Sequence, residues 1–156
     1  MKTRFLNCAF VLLSAFTASS VLADEQVDLG KTVYMTLCVA CHQPTGAGLP
    51  PVFPTLLQTE YVSGSTERFA AMILKGVIGP ITVKGMVFNN MMPPQEALLT
   101  DEKIAAAITY VRASFGNTYP AVLPAVVTAA RSKFTDRKTS WTEAELKAWP
   151  DSQAAK

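Results

Sequence analysis

The segment Cys38-Val39-Ala40-Cys41-His42 constrains this chain more than any other feature. Two thiols three residues apart at a helix end lie on one side of the chain, and an imidazole comes immediately after. The spacing C-x-x-C-H reads as an attachment site for a c-type haem. Each thiol adds to one vinyl group of the porphyrin, giving two thioether bonds, and the next residue falls beneath the iron, where its imidazole binds. His42 is the only histidine in the chain, so an iron held here has no other imidazole to use. Three rival readings carry less weight. A redox C-x-x-C pair sits near a βαβ pattern, and no strand precedes Cys38. A structural zinc site takes four protein ligands, and only three are in view. A plain structural disulfide is the third.

The first residues read as an export signal. Lys2 and Arg4 form a short basic start, and Cys8 to Phe16 form an apolar stretch broken only by Ser14. Val21-Leu22-Ala23 supplies small or apolar residues where a signal peptidase reads, placing the cut after Ala23. The apolar run is short for an uncleaved anchor, and Cys8 begins that run rather than ending it, unlike a lipid-modified cysteine. Lys2 and Arg4 carry the formal charge of +2, so the remaining chain is formally neutral and lacks the basic face of a nucleic-acid binder. With Cys8 gone, only Cys38 and Cys41 remain in an oxidising compartment, and the pair needs an explanation.

The 156 residues suggest one domain behind the leader. Asp28 to about Ala40 reads as a helix, with Leu29, Val33 and Leu37 at four-residue spacing. Residues 43–62 read as a loop rich in Pro and Gly. Ser65 caps a second helix through about Lys75, ended by Gly76. Residues 81–88 alternate around Lys84-Gly85 as a short hairpin, and a Pro-containing loop comes next over 89–99. The clearest helix runs from Asp101 to about Ser114, with Thr100 as cap and Ile104, Ile108, Val111 and Phe115 on one face. Gly116 stops it. Two weaker helices lie beyond, one from Pro124 to about Phe134 and one after Thr142, where Thr142 and Glu145 have capping-box spacing.

An iron with one histidine takes a sixth ligand or stays open. Met91 and Met92 sit in a Pro-flanked loop, Met92 being 50 residues beyond His42. A thioether is a soft neutral ligand that favours reduced iron. Paired methionines in a loop, rather than along a helical face, read less readily as core filling. Met92 is preferred to Met91, because Pro93 biases it toward an extended backbone.

With these residues in view, the chain resembles the class I c-type cytochromes over roughly residues 28–116. The likeness is carried by Gly30 and Tyr34, Cys38 to His42, Phe53-Pro54-Thr55-Leu56, Met92-Pro93, and Leu99 to Ile104 through Tyr110-Val111-Arg112. The resemblance implies an all-α, cytochrome c-like helical fold wrapped round one covalent haem c, with His42 and Met92 as the metal's two axial ligands. It implies that the first and last helices of the domain cross closely at Gly30, with Tyr34 and Tyr110 beside the crossing. It also implies that the Pro54 carbonyl accepts the second imidazole proton of His42, orienting the ligand. Cys-His-Gln-Pro-Thr-Gly and Phe115-Gly116-Asn117 look like cytochromes that serve periplasmic oxidoreductases, among them nitrite reductases and quinoprotein dehydrogenases.

The expectation is therefore a leader at 1–23, a haem domain at 24–116, and a C-terminal helical extension at 117–156 packed on it. The extension carries Trp141 and Trp149, and a docking surface for a partner enzyme is its alternative role. The expected function is a periplasmic single-electron carrier, not an enzyme, working between a redox protein donor and acceptor, with no nucleic acid and no membrane span in the mature form. A dedicated electron-transfer subunit of an oxidoreductase and an open-site haem enzyme or gas sensor are the rivals. No other catalytic set stands out: His42 is committed, there is no P-loop, and the carboxylates are scattered.

Overall fold

The computed structural model describes residues 24–150; the expected leader, 1–23, lies outside them. The architecture is helical with one small antiparallel hairpin, in accord with the all-α reading. The first helix, α1, covers 24–42. After it come α2 (Glu60–Ser63), α3 (Thr66–Lys75), the strands β1 (Pro80–Val83) and β2 (Met86–Asn89), α4 (Asp101–Ala113), α5 (Pro124–Lys133) and α6 (Glu143–Lys147). Among the described residues no helix is long and apolar enough to cross a membrane.

Helix α4 lies at the centre. Thr100 Oγ1 accepts from the Lys103 N–H at 3.4 Å, and Asp101 and Glu102 fill the first turn, where the helix dipole favours negative charge. A single buried face was expected, yet six consecutive residues, Ile104 to Thr109, are buried. The reason is that α4 is covered from two sides. On one, α1 crosses it at Gly30, where an added Cβ would fall onto the Ala106 carbonyl oxygen and 2.7 Å from Tyr110 Cβ. On the other, α5 brings Val127 and Ala130 into the same core. The alanines at 105, 106 and 107 are what let neighbours come so near. Each fully buried Ile or Leu adds about 1.5–3 kcal/mol.

The other sequence signals mostly act where expected. Ser65 Oγ accepts from the Arg68 N–H at 3.2 Å to start α3, and Gly76, at φ 73°, ends it by donating to Met72 O. Lys84 and Gly85 both take positive φ, as two-residue hairpin turns require, and Ile81, Val83 and Phe88 turn inward. Those three join Trp141 and Leu146 in a second apolar cluster. Thr142 and Glu145 form the capping box at α6.

Two expectations change. The loop expected over 43–62 ends in a helical turn, α2, because Thr59 Oγ1 accepts from the Val62 N–H at 3.2 Å. Helix α1 runs on to His42, and its Tyr34–Cys38 turn is π-helical, with the Val39 N–H reaching Tyr34 O. The extra residue rotates the remainder of the helix by roughly 100° from α-helical phase. The face of Leu29, Val33 and Leu37 is broken accordingly beyond the turn: Val33 and Tyr34 are buried, while Leu37 is 39% exposed.

Candidate haem centre

One broad cleft runs between the two clusters, and its walls are chiefly apolar. Cys38, Cys41 and His42 line it from the end of α1, Phe53 and Pro54 from the loop after α1, Ile73 from α3, and Met91 and Met92 from the loop before α4. Leu37, moved off the helix core by the π turn, lines it too. Every residue picked from sequence as a cofactor contact therefore lies on this one cleft: Cys38, Cys41, His42, Pro54 and Met92.

The attachment segment is held in place by backbone and ring contacts. The end of α1 is tied by Gly48 N–H to His42 O at 3.0 Å and by Tyr34 Oη to Gln43 O at 2.6 Å. Tyr34, Tyr110 and Phe115 form a three-ring cluster with centroids 5.3–5.6 Å apart, next to the α1–α4 crossing. Cys38 and Cys41 are half-buried free thiols, not joined to each other. Before attachment, burial, with the neighbouring Cys41 second, pushes the Cys38 thiol up to about 11.

His42 is the best-oriented group. Its Nδ1 lies 3.0 Å from the Pro54 carbonyl oxygen. A carbonyl only accepts, so Nδ1 carries the proton and the lone pair sits on Nε2, the tautomer a metal ligand needs. Burial lowers the His42 pKa and the bond to Pro54 opposes it, leaving a net decrease that favours the neutral ring. The Pro54 carbonyl can come this close because Gly48 has no side chain: a Cβ there would lie 2.5 Å from Pro54 O. Asn117 ties the same loop to α4, its Nδ2 donating to Leu56 O and Val111 O while its Oδ1 accepts from the Gln58 N–H.

The two methionines differ in support. Met92 pairs in both directions with Val77, N–H to O at 2.8 Å and O from N–H at 3.0 Å, and its side chain packs against both clusters. Met91 is 55% exposed, and its N–H is taken by the Asn90 side chain. Gly76 permits the Met92 pairing, since a Cβ there would strike Met92 O and come within 2.9 Å of Pro94 N. Sequence reasoning missed Gly48 and Gly76 as close-approach positions, taking Gly48 as loop punctuation and Gly76 as a helix stop. It also missed Val77 altogether.

A wide apolar slot, paired thiols on a helix end and an imidazole fixed in its ligand tautomer fit a covalently held porphyrin. A family model described as cytochrome c matches residues 27–114. The chain belongs to the cytochrome c family. A cytochrome c-552 of Thermus thermophilus is 36% identical over 109 residues, 67% of this chain and 72% of that one. A second cytochrome c-552 of the same species is 36% identical over 84 residues, 51% of this chain and 63% of that one. As a class I c-type cytochrome, the chain is an electron-carrying protein with covalently attached haem c, and Cys38 and Cys41 stand in its C-x-x-C-H position.

Proposed function

We propose that this cytochrome is an exported, freely diffusing one-electron carrier whose iron is held from both sides by protein, by His42 Nε2 and Met92 Sδ. The observation that carries this reading is the shared cleft: His42, tautomer-locked by Pro54, and Met92, anchored both ways to Val77, line the same apolar space. Bound haem supplies one-electron ferric/ferrous chemistry. The polypeptide does the rest. Pro54 fixes the imidazole plane and keeps its lone pair on Nε2. Met92 contributes a thioether that favours the reduced state. The apolar walls exclude water, which also favours the less charged iron. With two strong protein ligands there is no open position for a substrate, so the reaction is electron passage alone.

Docking belongs at the cleft mouth, where Leu37, Val52 and Met91 are exposed. The segments around it are uncharged: no Asp, Glu, Lys or Arg occurs over residues 32–59 or 85–95. Small, transient interfaces are usual for redox encounters. The periplasm is the compartment this reading assigns, from the basic-then-apolar start of the sequence and the small residues at Val21-Leu22-Ala23.

The test is ligand replacement. Met92→Ala should open the ferrous iron to carbon monoxide and abolish the weak far-red band of ferric iron–thioether bonding, while Met91→Ala leaves both as in the parent. The reverse result would move the ligand to Met91. Stoichiometric co-purification of a large enzyme would instead favour the dedicated-subunit role.

A further inference from the structure

The loop that carries Met92 has no regular element of its own, yet it is fixed from outside the cleft. Its partner, the short extended segment Gly76–Ile78, leaves α3 and is bonded on both edges. On one edge Val77 pairs with Met92. On the other it pairs in parallel with Trp141: the Trp141 N–H donates to Gly76 O at 2.9 Å and the Ile78 N–H donates to Trp141 O at 2.9 Å. Val77 is thus the middle rung of a three-strand ladder whose outer strands are the methionine loop and the C-terminal extension.

Trp141 is locked in turn. It is buried, its indole N–H donates to Ala71 O of α3 at 2.9 Å, and its ring meets Phe134 and Trp149 edge-on. The Arg137 guanidinium lies 3.6 Å from its centroid. The extension grips the far end of the methionine loop as well. Arg131 of α5 donates to Glu96 O and Leu99 O and pairs with Asp101. None of these extension residues lines the cleft, whose lining ends in sequence at Val111.

We propose that Trp141 is a positioning residue for the distal ligand: by fixing Val77 from behind, the extension sets how seldom the Met92 thioether leaves the iron. This deepens the reading of Met92 as ligand and rests on it. A ligand anchored through Val77 can swing away when Val77 moves, and Val77 is itself held by its two ladder edges and the core around it. Trp141→Ala keeps the backbone N–H and C=O of its ladder edge but removes what presses that edge against Val77: the indole bond to Ala71 O and the ring contacts with Phe134, Trp149 and Arg137. The fraction of protein with the thioether displaced should then rise at least about tenfold, which corresponds to roughly 1.4 kcal/mol.

The experiment uses holoprotein and imidazole as a competing ligand for ferric iron. Apparent imidazole affinity scales with the fraction of protein whose sixth position is open. Trp141→Ala should bind imidazole about tenfold or more tightly than the parent, and Trp141→Phe, which gives up the indole bond to Ala71 O but keeps a ring packed on Phe134 and Trp149, should restore most of the parent value. Val127→Ala, which leaves a gap under α5 but touches no rung of the ladder, should lower thermal stability without changing imidazole affinity. If Trp141→Ala and Val127→Ala shift affinity alike, or neither shifts it, the positioning role is overturned. Met92→Ala is the separate check on the underlying reading: if it retains the far-red band, the ligand assignment fails, whereas loss of the band with an unmoved Trp141→Ala overturns only the positioning role. Amide hydrogen exchange on the unsubstituted protein covers the case of a Trp141 variant that does not fold. The N–H groups of Val77, Ile78, Met92 and Trp141 should share one opening free energy, and an Ile78–Trp141 pair that opens far more readily than Val77–Met92 would contradict the proposal.

Discussion

Replacing Gly30 by alanine sets two effects against each other, and the structure decides which wins. Alanine in place of a helical glycine gains about 0.5–1 kcal/mol from reduced backbone freedom in the unfolded chain. Against that, the new Cβ would fall onto the carbonyl oxygen of Ala106 and 2.6 Å from its carbon. The obstacle is backbone in the middle of α4, which is buried and cannot rotate aside like a side chain, so α1 must move instead. Overpacking costs roughly 1–3 kcal/mol, and a clash with fixed backbone belongs at the upper end. The net loss is then about 2 kcal/mol. At roughly 4 °C per kcal/mol for a chain of this size, the holoprotein should melt about 8 °C lower by far-ultraviolet circular dichroism. Because α1 also carries Cys38, Cys41 and His42, the Tyr34–Tyr110–Phe115 ring contacts should loosen and change the near-ultraviolet signal. A Gly30→Ala protein that melts at or above the parent temperature would refute the close-crossing argument.

Two further predictions concern charge. Electron self-exchange between ferric and ferrous copies, measured by magnetic resonance, should change less than about twofold between low and high salt, since charge-steered association falls steeply with ionic strength and residues 32–59 and 85–95 beside the cleft contribute no charged side chain; a tenfold fall would place charge in the docking face. The extension should loosen in acid. Hydrogen bonds first from Arg137 and then from the Thr142 N–H hold Glu145 down at about 2, and Lys147 together with the Thr82 N–H does the same for Glu143. A carboxylate whose folded value lies below its unfolded value near 4.5 stabilises the fold fully above that pH, and loses that contribution as pH falls toward 2. Stability should therefore decline between about pH 4.5 and 2, and the Glu143→Gln/Glu145→Gln pair should show a shallower decline over that window; an unchanged slope would contradict it.

The sequence spoke most clearly where chemistry is local. C-x-x-C-H is a contiguous motif whose meaning depends on covalent spacing, and the caps at Ser65, Thr100 and Thr142 act within three residues of themselves. Lys84-Gly85 announced a turn because that turn's backbone is set by two adjacent residues. What escaped notice is tertiary. Gly48 reads as a loop glycine and Gly76 as a helix stop, and only their neighbours 6 and 16 residues onward reveal them as places where Pro54 and Met92 must come close. The π turn at Tyr34–Cys38 shifts the helix register without altering any apolar spacing in the sequence, so of the Leu29–Val33–Leu37 stripe Val33 enters the core while Leu37 turns to the cleft. Trp141 looked like core or docking material; its role as the outer strand beside Val77 depends on a contact 64 residues away.

The central claim is an iron closed on both sides by this chain. Its most direct test is the absorption spectrum of the reduced, secreted holoprotein before and after carbon monoxide is admitted under native conditions. The account predicts low-spin haem c, pigment that stays with the polypeptide in acid acetone, and no spectral change with the gas. A prompt shift to a carbon monoxide complex would show an open sixth position and contradict the electron-carrier account.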